Sequence, residues 1–310
     1  QPTFVVAISL CLFFLVLAFT FPLGIRENLA VAASSTLAVF GNYYLVLGLL
    51  MVLLLLGIAI SPWGKLKIGE GPVAYGWFSW IAMLYSTGMG AGLMLRAVQE
   101  PVYYFTKPPR ATDLSSEVFA LEYTFFHWGF TPWAFYGLFG LMVGYLVYGK
   151  GRLMLSSSLL VGRYRKPVLI VIVDVITIIS TLFGVVGAVG LGSRQLLVGF
   201  QQLFVDVEIS YGNNAFVVLF LGSLATLSAF SGLSKGIRNV SRFNISVSLF
   251  LLLATLFSGN ILGIVSNFGL SIAAYIYDFI PMSLNYGDKS VSQEFLMDFG
   301  CPGHPLQVYL

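Results

Sequence analysis

Charge is what this chain of 310 residues has least of. Only 9% of its residues are charged, whereas a soluble globular domain has roughly a quarter, and 58% are hydrophobic. The sequence also contains apolar runs of about 20 residues, the length of helix that crosses a lipid bilayer. These properties predict an all-α polytopic membrane protein rather than a soluble domain.

Cysteine and histidine are scarce as well. The two cysteines, Cys11 and Cys301, give neither a disulfide framework nor a metal-binding spacing, and His127 and His304 are far apart. We therefore expect no resident cofactor. No pair of nucleophile and base stands out, so an enzyme is the least expected class. The net charge of +3 fits membrane topology better than a nucleic-acid partner.

Seven apolar runs are long enough to be transmembrane helices. The first is longer than the apolar region of a signal peptide and has no small-residue cleavage site after it, so we interpret it as a span. The predicted spans are residues 3–23, 43–61, 76–105, 121–148, 167–191, 213–231 and 243–267.

The basic residues of the loops predict the orientation. With the N-terminus in the cytoplasm, ten lysines and arginines lie on that side and five on the other, as the positive-inside rule requires. The sequence therefore predicts a multi-pass plasma-membrane protein with a cytoplasmic N-terminus. The cytoplasmic set is Lys65, Lys67, Lys150, Arg152, Arg163, Arg165, Lys166, Lys235, Arg238 and Arg242, and the opposite set is Arg26, Lys107, Arg110, Arg194 and Lys289.

Two segments follow the last predicted span. Residues 268–288 interrupt an apolar pattern with Asp278 and a polar end, which favours an amphipathic helix at the membrane interface. Residues 289–310 are polar, contain glycine and proline, and are interpreted as a truncated or altered tail. Because the chain begins QPTF rather than with methionine, we interpret it as a fragment.

The third predicted span contains alternating glycines, Gly88, Gly90 and Gly92, within STGMGAGLMLRAVQEPVYYF. Each glycine lowers helix stability by about 1 kcal/mol relative to alanine, which predicts local unwinding. In transporters, unwound backbone near the middle of the bilayer frees carbonyl groups to coordinate a cation. The alternative is close helix packing through Gly88 and Gly92, which are four residues apart.

Three more residues of this span are unusual in a membrane. Arg96 and Glu100 are ionisable and lie four residues apart, so we expect them to pair on one helix face. Pro101 follows at once and is expected to kink or end the helix.

An aromatic run, FHWGFTPWAFYG, begins the fourth predicted span. Trp133 and Tyr136 lie three residues apart on one helix face, and Trp128 precedes Trp133 by five. Such rings can hold a quaternary ammonium group by cation–π attraction, worth about 2 kcal/mol or more when desolvated. The alternative for Trp128 is an ordinary place in the aromatic belt of the membrane interface.

The fifth predicted span carries Asp174, Thr177, Ser180 and Thr181 on an otherwise apolar helix. Hydroxyl side chains in such positions commonly bond to carbonyl groups of their own helix. Asp174 lies near the predicted cytoplasmic end, so we expect it to pair with a loop cation rather than to move ions.

Five segments in order resemble the betaine/carnitine/choline transporter family. They are SPWGKLKIGEG, FSWIAMLYSTGMGAGLM with QEPVYYF, FHWGFTPWAFYGL, STLFGVVGAVGLGSRQL and FSGLSKGIRNVSRFN, and the likeness runs from about residue 42 to residue 288. The resemblance implies coupled uptake or antiport of trimethylammonium compounds by a homotrimer. It also implies a leucine-transporter-like fold of two inverted five-helix repeats, with two extra helices in residues 1–75 and the first repeat in residues 76–267.

The family's site positions carry over by matching residues. Trp128, Trp133 and Tyr136 match the first aromatic set for the ammonium group, and the three alternating glycines match the broken helix at the substrate. The backbone carbonyls of Ser86 and Met89 match positions that hold one sodium ion, the implied coupling ion. Thr181 matches a hydroxyl position of a second sodium site.

Some residues depart from the family pattern. Arg96 and Ala97 stand where an aromatic residue and a glycine are usual, and Val185 replaces a hydroxyl residue four positions after Thr181. The tryptophan-rich motif of the family's eighth span is replaced by FGCPGHPLQVYL.

The resemblance therefore implies the N-terminal portion of a sodium-coupled carrier, closest to glycine betaine carriers by its GMGAG pattern, and we expect no coupled transport by the chain on its own. One alternative is a non-transporting membrane interaction protein or regulatory subunit. The other is a broken-helix transporter for another osmolyte or an amino acid.

Overall fold

A computed structural model describes residues 2–69, 71–88, 91–109, 112–204 and 208–284. Regular structure within these ranges is helical, which confirms the all-α prediction. Short 3-10 turns lie at Pro62–Lys65, Ser156–Leu159 and Gly162–Tyr164, and π-helical turns lie at Tyr145–Gly149 and Leu233–Ile237. The long helices are α1 (Pro2–Thr20), α2 (Pro22–Ile60), α3 (Trp77–Gly88), α4 (Ala91–Thr106), α5 (Ser116–Trp128), α6 (Phe130–Gly144), α7 (Pro167–Leu203), α8 (Tyr211–Phe230), α9 (Arg238–Ser258) and α10 (Ile261–Ser283).

Seven helical segments in the described part of the chain are long and apolar enough to cross a membrane. The sequence also predicts seven spans, but the two sets of spans differ. The third predicted span, residues 76–105, is described on either side of residues 89–90 as α3 and α4, which have 12 and 16 residues, and it is not among the seven. The seven segments are Pro2–Thr20, Pro22–Ile60, Ser116–Gly149, Pro167–Leu203, Tyr211–Phe230, Leu233–Ser258 and Ile261–Ser283.

Helix α2 is longer than the span predicted for it. It begins at Pro22 and has 39 residues, so it is about 58 Å long at 1.5 Å per residue. The predicted loop before residue 43 is therefore helical. Pro22 suits the first helical turn, and polar side chains of the following turns bond to their own helix, as Thr36 Oγ1 does with Ala32 O at 2.7 Å.

The helix predicted at 243–267 is interrupted. α9 ends at Ser258, Gly259 is extended, and α10 begins at Ile261. The side chain of Asn260 explains the new start, because its Oδ1 accepts a hydrogen bond from the Gly263 N–H at 3.2 Å, as an N-cap residue does. The length and composition of α10 suffice to cross a membrane, so its interfacial placement stays a prediction.

The chain divides into two compact units, and each is described by itself. Of the described residues, the first unit contains 2–69, 100–109, 112–179 and 267–284, and the second contains 71–88, 91–99, 180–204 and 208–266. The core of the first unit is rich in aromatic residues. It contains Leu45, Leu49, Val52, Tyr104, Phe119, Ala120, Tyr123, Phe126, Ala134, Tyr275, Phe279 and Met282.

Within the first unit, α2 packs on α6 through small residues. A Cβ placed on Gly48 would lie 2.5 Å from Thr131 Cγ2, and one on Gly137 would lie 3.1 Å from Leu55 Cδ1. Glycine therefore allows the two helices to approach at both places.

Within the second unit, α3 packs along α9. The Asn244 side chain on α9 donates to Ser86 Oγ on α3 at 3.2 Å, and the Arg242 guanidinium lies 5.9 Å from the centre of the Phe78 ring. Further along this unit, the buried Ser193 hydroxyl on α7 donates to Asn214 Oδ1 on α8 at 2.8 Å. Polar contacts thus join neighbouring helices of the second unit.

Candidate functional site

The aromatic run is divided between two helices. α5 ends at Trp128, Gly129 has a non-helical backbone, and α6 begins at Phe130. The single helix predicted over 121–148 is therefore broken near its start. Trp128 lies at the end of α5, whereas Trp133 and Tyr136 lie in the first two turns of α6.

The phenol of Tyr275, on α10, contacts this break. Its Oη accepts a hydrogen bond from the Phe130 N–H at 2.7 Å. The sequence did not indicate Tyr275, because 145 residues separate it from Phe130. The available signal was that Tyr275 lies in a short aromatic stretch, and this signal does not identify a partner.

Trp133 and Tyr136 form a ring pair, as their spacing predicts. Their ring centroids are 6.3 Å apart with an angle of 57° between the planes. Trp133 is 37% exposed and Tyr136 is 63% exposed. Both rings are therefore partly exposed on the surface of α6.

Trp128 is held by the carboxylate of Glu100. The indole Nε1–H donates to Glu100 Oε2 at 2.7 Å, and Glu100 Oε1 is hydrogen-bonded to Nδ1 of His127. Glu100 is 4% exposed and His127 is 2% exposed, so the carboxylate is buried with two partners on α5. A buried carboxylate requires such partners, because it loses its hydration on burial.

This cluster adds to the interpretation of two residues. Trp128 is half-buried and makes a specific contact with the buried Glu100 carboxylate, and its place in an interface belt stays an alternative. His127 had been weighed only as a metal ligand, and its role as a partner of Glu100 was missed. The available signal was a lone histidine in an apolar helix, which needs a polar partner when buried.

Arg96 and Pro101 are on α4 with Glu100. Arg96 is half-buried, and its predicted pairing with Glu100 stays a prediction. Pro101 does not end the helix, because α4 continues to Thr106. The buried ring of Tyr104, which is 2% exposed, anchors the turn after the proline in the core and explains the continuation.

Two of the predicted sodium ligands, Ser86 and Thr181, lie on helices of the second unit. Ser86 is half-buried near the end of α3, where its hydroxyl accepts from Asn244, and Thr181 is on α7. Gly88 is the last described residue of α3 and Gly92 is the second described residue of α4, whereas Met89 and Gly90 lie outside the described residues. The sodium ligands and the unwinding at Met89 and Gly90 stay predictions.

Two polar residues of α7 have structural partners. Asp174 accepts from the Ser157 N–H at 2.9 Å and from the Ser157 hydroxyl at 2.8 Å, so the predicted pairing with a loop cation is wrong. Both residues are buried, and the carboxylate satisfies an N–H group of the 3-10 turn at Ser156–Leu159. Thr177 Oγ1 donates to Val173 O at 2.9 Å, as expected for a hydroxyl that bonds to its own helix.

Comparison with known families decides the class of protein. The family model described as "BCCT, betaine/carnitine/choline family transporter" matches residues 2–300. The chain belongs to this family. The resemblance seen in the five ordered segments is thereby confirmed, and the family is one of membrane transporters rather than enzymes.

Individual members of the BCCT family are similar over most of the chain. The glycine betaine transporter OpuD of Bacillus subtilis is 36% identical over 253 residues, 79% of this chain and 49% of the relative. The high-affinity choline transport protein of Escherichia coli K12 is 33% identical over 79% of this chain and 37% of the relative. The ectoine/hydroxyectoine transporter of Virgibacillus pantothenticus is 34% identical over 79% and 50%. The chain thus spans about half the length of these relatives or less.

Proposed function

We propose that these helices belong to a secondary transporter for small solutes with a trimethylammonium group, such as glycine betaine. The observation that carries the proposal is the exposed ring pair of Trp133 and Tyr136 on α6. Trp128, at the end of α5, completes the proposed aromatic set. Relatives named for glycine betaine and choline support this substrate class.

The chemistry of the aromatic set suits a cation that has no hydrogen-bond donor. A trimethylammonium group cannot donate to a carbonyl or carboxylate, so it is held by ring faces and by charge. The indole N–H of Trp128, at the ring edge, is bonded to Glu100, and the ring face is the part of this side chain that we propose meets the ammonium group. The nearby carboxylate also favours positive charge.

We further propose that the solute is carried with sodium by alternating access. The proposed sodium ligands are the carbonyl groups of Ser86 and Met89 and the hydroxyl of Thr181. Support comes from the family's motif positions and from the glycines on either side of Met89, which weaken the helix there.

Binding measurements on the purified chain in lipid nanodiscs test both parts. We expect glycine betaine and choline to bind, and we expect proline, an amino-acid osmolyte without methyl groups on nitrogen, not to bind. Replacing potassium by sodium at constant ionic strength should raise the affinity for glycine betaine about fivefold or more, because coupled sites stabilise each other. Equal affinity in both salts would contradict sodium coupling, and preference for proline would contradict the substrate class.

Thr181 has a matched control on its own helix. Thr181→Val should abolish most of the sodium effect, whereas Thr177→Val should leave it intact, because the Thr177 hydroxyl bonds to Val173 O. An equal loss in the two variants would contradict the assignment of Thr181.

The proposed assembly is a homotrimer in the plasma membrane with a cytoplasmic N-terminus. The family resemblance supports the trimer, and the excess of basic residues in the predicted cytoplasmic loops supports the orientation. Native mass spectrometry from detergent should give three chains per particle, and a monomer would contradict the trimer.

A further inference from the structure

The buried phenol of Tyr275 supplies a hydrogen bond that α6 cannot make for itself. The first N–H groups of a helix have no carbonyl partner within the helix. At the start of α6 the Phe130 N–H donates to Tyr275 Oη at 2.7 Å. Tyr275 is 5% exposed and Phe130 is 46% exposed, so the phenol is buried and the bond is part-buried.

The break at Gly129 is shaped to accept this phenol. A Cβ placed on Gly129 would lie 2.6 Å from Tyr275 Oη and would also overlap the carbonyl oxygen of Phe125. The Tyr275 ring packs on Phe130, with centroids 5.1 Å apart, and on Phe279, with centroids 5.6 Å apart. Both the ring and the hydroxyl group of Tyr275 are therefore fixed against the break.

The start of α6 determines where the aromatic pair points. Phe130 precedes Trp133 by three residues and Tyr136 by six, and a regular helix transmits an orientation over this distance. We propose that Tyr275 is a positioning residue, which orients α6 so that Trp133 and Tyr136 present their faces to the ammonium group. This inference rests on the proposed function of the aromatic set.

Removing only the hydroxyl group tests the proposal. Tyr275→Phe keeps the ring packing and deletes the bond to Phe130. We expect the affinity for glycine betaine to fall about three- to tenfold, the range for one lost hydrogen bond. The control is Tyr277→Phe, on the same helix and 85% exposed, which should bind like the parent chain.

A double-mutant cycle separates positioning from a general loss of stability. If Tyr275 acts through the ring pair, Tyr275→Phe should weaken binding in the parent chain but hardly at all in a Trp133→Leu background. A merely structural role would reduce the bound fraction equally in both backgrounds. Thermal unfolding of each variant shows whether it is folded before binding is measured.

A spectroscopic measurement keeps the inference testable if the parent chain does not bind glycine betaine. The part of the tryptophan fluorescence that Trp133→Leu removes comes from the Trp133 indole. We expect Tyr275→Phe to shift this emission and Tyr277→Phe to leave it unchanged. A shift without solute binding by the parent chain contradicts the proposed function and supports the positioning of α6. Unchanged Trp133 emission and unchanged affinity in folded Tyr275→Phe would overturn the inference.

Discussion

The carboxylate of Glu100 accepts the indole N–H of Trp128 at 2.7 Å, in the interior of the first unit. The same carboxylate is bonded to His127, so one buried acidic group holds two consecutive side chains of α5. This arrangement fixes the indole at the end of α5, next to the break at Gly129.

Neutralising Glu100 should therefore destabilise the chain and weaken solute binding. Glu100→Gln keeps the size of the side chain but loses the charge-assisted bonds, each worth about 1.5–3 kcal/mol. We expect a lower unfolding temperature in detergent and a lower affinity for glycine betaine. The matched control is Glu117→Gln, at an exposed position in the first turn of α5. It should lower the unfolding temperature and the affinity for glycine betaine much less than Glu100→Gln does.

His127 gives a second test of the same cluster. His127→Ala removes one partner of the buried Glu100 carboxylate, whereas His127→Gln retains a side chain that can donate to it. We expect the alanine variant to unfold at a clearly lower temperature and the glutamine variant to recover part of the loss. Equal stabilities of the two variants would argue against a hydrogen-bonding role for His127.

Packing of α2 on α6 should be sensitive to side-chain size at Gly48. A Cβ there would lie 2.5 Å from Thr131 Cγ2, so Gly48→Leu must separate the helices or distort α6. Such overpacking typically costs about 1–3 kcal/mol. Gly57→Leu is the control on the same helix, because a Cβ on Gly57 meets no atom within 4 Å. Thermal unfolding of the two variants should differ, and similar melting curves would contradict this contact.

The bond between Asp174 and Ser157 should stabilise the segment before α7. Asp174→Ala leaves the buried Ser157 N–H without its acceptor, which typically costs about 1–3 kcal/mol. Asp113→Ala, at an exposed position, is the control and should have little effect. Hydrogen exchange at the Ser157 amide should increase in the first variant, and unchanged exchange would contradict its protection by Asp174.

Composition and hydropathy were sufficient to predict the class of protein and most of its helices. A long apolar run can adopt few structures in lipid, because its backbone N–H and C=O groups must form hydrogen bonds within the protein. The family was identified from motifs in order, which together are more specific than the glycine pattern alone. The ring pair of Trp133 and Tyr136 followed from the helical period.

The breaks and the partners could not be predicted in the same way. The run around Gly129 is rich in aromatic residues and was interpreted as one helix, and the break is stabilised by Tyr275, which is distant in sequence. The end of α9 was signalled only by Gly259 and Asn260, within an otherwise apolar run. Spacing alone predicted Arg96, on the same helix, as the partner of Glu100. The described hydrogen bonds to Glu100 instead come from His127 and Trp128 on α5.

The most direct test of the account is the affinity of the Trp133→Leu chain for glycine betaine, measured by calorimetry in nanodiscs beside Trp63→Leu. Trp63 is 70% exposed in the turn after α2 and lies outside the proposed aromatic set. Loss of a cation–π contact of about 2 kcal/mol predicts roughly 30-fold weaker binding for Trp133→Leu. Trp63→Leu should match the parent chain. Equal affinities in all three chains would contradict the proposal that the ring pair on α6 holds the ammonium group.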